Sequence, residues 1–134
     1  MKITCMKQDL LQGINTVLKA VPAKTTMTIL ECIVIDASAD RIKLISNDME
    51  MGIETYVNGE IAEHSSIALN AKMLSEIIRR LPDSSITITT DSAYKATITC
   101  GKATFSINGR SCEEFPVLPT VQRDKFITLF CDIP

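Results

Sequence analysis

The sequence predicts an α+β fold in which a unit of one strand, one helix and three strands occurs twice. Apolar residues recur at helical spacing in two separate segments. Each of these segments is followed by short runs in which apolar and polar residues alternate. Alternation means that each strand buries one face, so two amphipathic helices would pack on antiparallel sheets in two layers.

The first predicted unit spans about residues 1–60. A strand at Lys2–Cys5 leads into a helix over Gln8–Ala20, which Pro22 ends because proline cannot continue the helical hydrogen bonds. The apolar face of this helix carries Leu10, Leu11, Ile14, Val17, Leu18 and Val21. The three strands are predicted at Thr28–Ala37, Arg41–Ser46 and Gly52–Val57.

The second predicted unit spans about residues 61–109 and repeats this order. A strand at Ser66–Leu69 precedes a helix over Ala71–Leu81, with Asn70 as its N-cap and Pro82 as its stop. Leu74, Ile77, Ile78 and Leu81 form the apolar face of this helix. The strands are predicted at Ser85–Thr90, Tyr94–Cys100 and Ala103–Ile107, with a tight hairpin turn at Gly101-Lys102.

The segment that follows indicates a connection between domains. Pro116 and Pro119 hold it extended, because each proline fixes its own φ and restricts the preceding residue. Lys125–Leu129 then begins a new apolar strand. We therefore expect a first domain over residues 1–120, including a linker at 110–120, and the linker end and first strand of a truncated second domain at 121–134.

Composition excludes several classes of protein. The apolar fraction of 46% and the charged fraction of 22% are those of a globular domain, with no apolar run long enough to cross a bilayer. Five cysteines without Cys-x-x-Cys spacing indicate reduced thiols in the cytosol rather than a zinc site or disulfides. Because the net charge is −2, any contact with nucleic acid would need a local basic surface.

No catalytic site assembles from the sequence. His64, the single histidine, lies in a polar stretch and has no evident orienting partner, so we interpret it as a loop residue. Cys112 precedes Glu113 and Glu114, whose charges would raise the pKa of its thiol and disfavour a nucleophile. Asp48 and Glu50 fit a turn better than an acid–base pair, which leaves a small hydrolase as a minor alternative. We expect no enzyme activity, no cofactor and no metal.

Basic side chains indicate a surface for duplex DNA. Lys24 lies in the loop after the first helix, and Lys72, Arg79 and Arg80 lie on the polar face of the second. Lys7 and Lys19 add to it from the first helix. The chain has no tryptophan and its other aromatic residues are scattered, so contact would be with phosphates and independent of base sequence. The alternative for these residues is an ordinary solvated helix face.

Several motifs in order resemble one protein family. They are the opening Met-Lys-Ile-Thr, the segments Val17–Val21, Lys24–Leu30, Asn47–Glu50 and Ile77–Pro82, and the run from Gly101–Gly109 to Phe115–Pro119. Together the chain resembles the amino-terminal domain of the bacterial sliding clamp, the beta subunit of DNA polymerase III. The resemblance covers essentially the whole chain.

The resemblance implies the DNA clamp fold and a role in DNA replication. Such a clamp has three domains per chain, and two chains close head-to-tail into a homodimeric ring whose helices line the hole. The ring encircles duplex DNA and tethers the replicative polymerase as a processivity factor without catalysis. It also implies a bacterial cytoplasmic, nucleoid-associated protein with no cofactor, whose polymerase and clamp loader bind through domains missing from this chain.

The resemblance also implies roles for individual residues. Lys24 and Lys72 match basic positions that contact DNA, and helix geometry adds Arg79 and Arg80. The ring interface would be the edge strand Ala103–Ile107 with Phe105 and Ile107, flanked by Ile77 and Lys102. Simple core burial is the alternative for the apolar members of this set. Thr28, Met73 and Thr104 depart from the family pattern, where proline or basic residues are frequent.

A second interpretation assigns the chain to a different functional class. A free-standing interaction domain would bind a protein partner at the edge strand around Phe105 and Ile107 and would have no role on DNA. The tail separates the two interpretations, because a strand that ends a free-standing domain at 122–134 would leave Phe126, Leu129 and Phe130 without apolar partners. We therefore expect a clamp fragment.

Overall fold

The structure, a computed structural model, describes residues 1–22, Thr25 and 27–115. Over these residues it contains helices α1 (Lys7–Val17) and α2 (Ala71–Arg80). The strands are β1 (Lys2–Met6), β2 (Cys32–Asp36), β3 (Ile42–Asn47), β4 (Gly52–Val57), β5 (Gly59–Glu63), β6 (Ser66–Asn70), β7 (Ser85–Thr90), β8 (Lys95–Cys100) and β9 (Ala103–Asn108). The predicted α+β class, with two helices on antiparallel sheets, is confirmed.

The strands form two antiparallel sheets that exchange strands between the two units. The larger sheet has the order β5-β1-β7-β8-β9 and the smaller sheet the order β4-β3-β2-β6. The first strand of each unit therefore pairs with the second strand of the other, β1 with β7 and β6 with β2. Because of this exchange the two units share one core, to which both helices and both sheets contribute.

Two glycines join the sheets at opposite ends. β4 runs through Asn58 into β5, where Gly59 faces Cys5 of β1. A Cβ atom on Gly59 would lie 2.5 Å from the backbone oxygen of Thr4. At the other end β9 runs through Gly109 to Arg110, which forms a bridge with Ala68 of β6.

Gly59 and Gly109 mark two corners, where the chain passes from one sheet to the other. The backbone is as crowded at the Gly109 corner as at the Gly59 corner. A Cβ atom on Gly109 would lie 2.7 Å from Cδ1 of Ile67 and 2.9 Å from the backbone oxygen of Ala68. Only glycine allows a strand to cross this close to its neighbour. The last strand of each unit thus leaves one sheet and continues against the first strand of the same unit.

Both helices pack on the inner face of the smaller sheet and against each other. Leu10, Ile14 and Val17 of α1 are completely buried, as the predicted apolar face requires. α1 ends at Val17 and tightens into a 3₁₀ turn at Leu18–Ala20, earlier than the predicted end at Ala20. The hydroxyl of Ser46 donates a hydrogen bond to the Val17 carbonyl and so binds the end of α1 to β3.

The smaller sheet is covered on both faces. Ile33 and Ile35 of β2 face the main core, whereas Cys32 and Val34 face a second apolar cluster on the outer side. The residues in this outer cluster are Ile29, Leu30, Cys32, Val34, Ala68 and Phe115, with Ile45 and Cys112 at its margin. The prediction that each sheet buries only one face is therefore wrong for this sheet, which buries both.

Three local differences from the predicted elements have physical causes. Thr28–Glu31 is a 3₁₀ turn rather than the start of a strand, because Ile29 and Leu30 fold onto the outer cluster. Tyr94 precedes β8 with a φ of 61°, so the strand begins one residue later than predicted. β5 was not predicted, because its residues are mostly polar and exposed.

The predicted linker lies partly inside the described residues. Its first part, 110–115, packs on the domain: the Arg110 backbone exchanges hydrogen bonds of 2.9 and 3.0 Å with Ala68, and Phe115 is buried. Arg110 Nη1 also donates to the Thr28 hydroxyl at 2.8 Å. The remainder, 116–120, and the predicted second-domain strand at 121–134 lie outside the described residues.

Candidate nucleic-acid interface

The sequence places basic residues on the solvent side of α2. Asn70 begins this helix by accepting a hydrogen bond of 3.0 Å from the Met73 amide, which confirms the predicted N-cap. Lys72, Arg79 and Arg80 are all exposed, with Glu76 as the single acid of the helix. The buried residues Leu74 and Ile78 hold the opposite face in the core, so the cations face solvent.

α1 lies beside α2 and presents a surface of different chemistry. An open groove of about 370 Å³ runs along it, lined by Gln8, Leu11, Gln12, Asn15, Thr16 and Lys19. Among the residues that line the groove, Lys19 carries the positive charge, and the other polar side chains end in amides or a hydroxyl. The two helices therefore form one polar surface, with most of the positive charge on α2.

Lys7, expected to add to the basic surface, is bound within the fold instead. Its ammonium Nζ donates to the backbone oxygen of Leu81 at 2.7 Å and to that of Arg79 at 3.2 Å. These carbonyls lie at the C-terminal end of α2, where a cation is favourable. Lys7 is half-buried and its ammonium group binds the end of α2, whereas the cations of α2 itself are exposed. Lys24 lies outside the described residues.

The candidate ring-closing surface is divided between the core and the edge. β9 is the last strand of the larger sheet, and its segment 103–108 contains no charged residue. Ile77 and Phe105 are half-buried against the core, and Lys102 is exposed. Ile107 is only 5% exposed and belongs to the core, so its side chain is not available to a partner in this structure.

The minor enzymatic alternative finds no support in the described part of the chain. His64 is exposed between β5 and β6. The Asp48 carboxylate accepts hydrogen bonds from the Glu50 and Met51 amides at 2.9 and 2.7 Å, as expected for a turn. Among the residues the structure describes, no cluster of three His, Cys, Asp or Glu side chains could hold a metal ion.

Two of the described cysteines, Cys5 and Cys112, lie in surroundings that disfavour the reactive thiolate form. Burial raises the pKa of the Cys112 thiol, with a further increase from the charge of Asp36 and an opposing hydrogen bond from Ser66. The predicted direction is right, but the cause is burial and Asp36 rather than the adjacent glutamates. Burial, assisted by the charge of Asp9, raises the pKa of Cys5 to about 12. In the described segments no helix is both long and apolar enough to span a membrane.

Comparison with known proteins agrees with this arrangement. Residues 1–119 match the family described as DNA polymerase III beta subunit, N-terminal domain. The chain belongs to this family. Its fold is that of solved beta subunits: over 89% of the chain it superimposes on a DNA polymerase III beta subunit from Eubacterium rectale with a TM-score of 0.87 and 56% identity.

Other members of the beta-subunit family are also similar. The DNA polymerase sliding clamp from Bacillus subtilis gives a TM-score of 0.83 with 36% identity over 89% of the chain. In sequence the chain is 34% identical to the beta sliding clamp of Bacillus subtilis over 141 aligned positions, which cover 99% of the chain and 37% of that relative. The chain thus spans about a third of the length of the clamps it matches.

Sequence reasoning missed two features of this beta-subunit domain. The bonds of Lys7 to α2 leave no local signal, because the partners lie more than seventy residues away. The glycines at the two corners leave a local signal: the dipeptides Asn58-Gly59 and Asn108-Gly109 both occur where the last strand of a unit ends. The dipeptide alone is typical of a tight turn, so it marks both positions without predicting β5 or the bridge at Arg110.

Proposed function

We propose that this chain is the first domain of a replicative sliding clamp, a non-catalytic processivity factor that encircles duplex DNA. One observation carries the proposal: α1 and α2 lie side by side with their polar faces outward, and the cations of α2 project from this surface. Membership of the beta-subunit family supports it. Because the chain covers about a third of its relatives, the activity belongs to the complete ring.

DNA contact rests on phosphates. Lys72, Arg79 and Arg80 are exposed cations on α2, and Lys24 joins them by resemblance to the family. Such contacts have the same energy at every register of the duplex, which suits a protein that slides. Affinity of a single domain is low, and retention on DNA comes from the topology of the closed ring.

Ring closure uses the free edge of β9. Among the described residues β9 pairs only with β8, so the backbone groups on its other side can pair with a strand of a partner subunit's third domain. Phe105 and Ile77 present half-buried apolar surface beside that edge, and Lys102 adds a charge at its start. The buried side chain of Ile107 supports the strand from the core rather than meeting the partner.

The remaining assignments follow from the same role. Polymerase and clamp loader bind elsewhere in the complete protein, through the domains that this chain does not include. Location in the bacterial cytoplasm on the nucleoid, and the absence of catalysis and cofactors, belong to a clamp as well. The free edge of β9 also favours the second candidate, a free-standing interaction domain.

DNA binding is tested with the chain and a labelled duplex over a series of salt concentrations, starting at low salt. Replacing Lys72, Arg79 and Arg80 by alanine should lower the slope of log affinity against log salt by about 0.9 for each phosphate that is no longer neutralised. Lys2→Ala is the control for the loss of one cation outside α2, because Lys2 is exposed in β1 next to the buried Ile3. Equal slopes for the triple variant and the wild type would contradict a DNA surface on α2.

Ring topology is tested with the complete product of the native gene. A closed ring is retained on nicked circular DNA and lost when the DNA is linearised, and Phe105→Asp should abolish retention by opening the interface. Retention that is the same on circular and linear DNA would contradict encirclement. A native product that ends at Pro134 would favour the interaction domain, since two such chains cannot supply six domains.

A further inference from the structure

The start of α1 is fastened to the end of α2 by contacts distant in sequence. The ammonium of Lys7 reaches two carbonyls of the last turn of α2 and its C-cap, those of Arg79 and Leu81. The Lys7 amide donates to the Ser84 carbonyl at 3.0 Å. Gln8 Nε2 donates to the Asp83 carboxylate at 2.8 Å. Two consecutive residues of α1 thus bind the segment that ends α2.

The end of α2 is not closed by a glycine cap. Helices commonly end with a glycine in the left-handed conformation, but Leu81 is extended and Pro82 follows it. Leu81 itself donates to the Ile78 carbonyl at 3.3 Å. The carbonyls of Arg79 and Leu81 instead receive the Lys7 ammonium, which also compensates the partial negative charge of the helix end.

The turn that Lys7 binds is the one that bears Arg79 and Arg80. Both guanidinium groups are exposed, and both residues belong to the last turn of α2. The direction in which they project depends on whether that turn keeps its helical geometry. The ammonium of Lys7 thus contacts the backbone of the turn that carries both arginines, through the Arg79 carbonyl.

We propose that Lys7 is a positioning residue for the DNA surface: it holds the last turn of α2 so that Arg79 and Arg80 face the phosphate backbone. The proposal rests on the function proposed above. It assigns to Lys7 a role different from that of Lys19, the exposed lysine of the 3₁₀ turn that follows α1. Lys7 acts through α2, whereas any effect of Lys19 on DNA binding is that of its own charge.

Three variants separate these roles. Lys7→Met keeps the apolar stem and removes the donors, Lys7→Arg keeps a donating cation, and Lys19→Met removes one exposed charge. The first measurement is hydrogen exchange of the α2 amides in the chain without DNA. Lys7→Met should speed exchange at residues 79–81 at least fivefold, a change in opening equilibrium of about 1 kcal/mol. Lys7→Arg and Lys19→Met should leave it within twofold of the wild type.

The second measurement is duplex affinity at low salt, combined with Arg79→Ala in double-mutant cycles. If Lys7 acts through the arginine turn, the Lys7→Met and Arg79→Ala losses are not multiplicative, whereas those of Lys19→Met and Arg79→Ala are. Lys7→Arg should restore affinity to within twofold of the wild type. Rescue by arginine together with non-multiplicative losses is not expected from a lysine that merely adds charge.

The outcomes that would overturn the proposal are distinct from failure of the DNA surface itself. Unchanged exchange at residues 79–81 in Lys7→Met would show that the bond does not hold the turn. Multiplicative losses of Lys7→Met and Arg79→Ala would show that Lys7 acts independently of it. If Arg79→Ala and Arg80→Ala leave affinity unchanged while Lys72→Ala lowers it, the DNA surface stands and the positioning role is wrong.

Discussion

Gly59 and Gly109 occupy equivalent corners, each directly after an asparagine and each with its backbone against the first strand of its own unit. Gly59 approaches the Thr4 oxygen, and Gly109 approaches the oxygen of Ala68. Thr4 and Ala68 are each the third residue of their strands, β1 and β6. The two units are therefore built alike down to the contact that turns the chain between sheets.

Alanine at either corner should destabilise the domain, and more at Gly59. The added methyl group would lie 2.5 Å from a backbone oxygen at Gly59, whereas the nearest atom at Gly109 is the movable end of Ile67 at 2.7 Å. We expect a loss of about 3 kcal/mol for Gly59→Ala and about 1–2 kcal/mol for Gly109→Ala. Urea denaturation checks this order, with Asn58→Ala as the control; equal stability of wild type and Gly59→Ala would contradict the corner geometry.

Phe115 should contribute to stability although it lies in the segment expected to be a linker. It is buried in the outer cluster with Ile29 and Leu30. Phe115→Ala should lower the free energy of unfolding by about 3 kcal/mol, because a large side chain leaves a cavity. Phe115→Leu should cost less than half of this. Thermal unfolding distinguishes the two, and a neutral Phe115→Ala would place the end of the domain before this residue.

The N-cap of α2 makes a separate contribution. Asn70→Ala removes the acceptor of the Met73 amide and should cost about 1 kcal/mol. Asn70→Asp retains an acceptor and adds a favourable charge at the helix start, so its stability should be close to that of the wild type. Chemical denaturation of the two variants provides the measurement. Equal losses would show that the side-chain bond contributes nothing.

Acid stability should depend on Asp91, at the turn between β7 and β8. A hydrogen bond from the Lys95 amide, with another from Ala93, lowers the pKa of this carboxyl below its ordinary value of 3.8. Since the folded-state pKa is the lower one, the stabilisation is present above pH 3.8 and is lost as pH falls through the folded-state pKa. Asp91→Asn should remove this part of the pH dependence in unfolding curves between about pH 5 and 2.

The sequence predicted the elements better than their pairing. Periodicity located α1 and α2 because the apolar residues of each helix lie close together in the chain. It could not show that β1 pairs with β7, because no local pattern distinguishes strands that share a sheet. It also treated Thr28–Glu31 as a strand, since a turn packed onto the outer face has the same apolar content as a strand.

The sequence could predict the site residues whose role depends only on facing solvent. Lys72, Arg79 and Arg80 lie opposite the apolar stripe of α2, and helical geometry placed them in solvent. The placement of Lys7 could not be predicted, since its ammonium group binds carbonyls that only the folded chain brings close to it. The burial of Ile107 could not be predicted either, because the alternation along β9 does not distinguish a core residue from an interface residue.

The exchange of first strands has a consequence for how the chain can be divided. Residues 64 and 65, between β5 and β6, are exposed, and the two units meet there in sequence. A protease cut at this point would leave two fragments, each holding the strand that completes a sheet of the other. We expect the nicked protein to stay associated and the separate fragments to reassemble on mixing, as a split reporter does. Each fragment supplies the strand with which a strand of the other fragment pairs, β1 with β7 and β6 with β2.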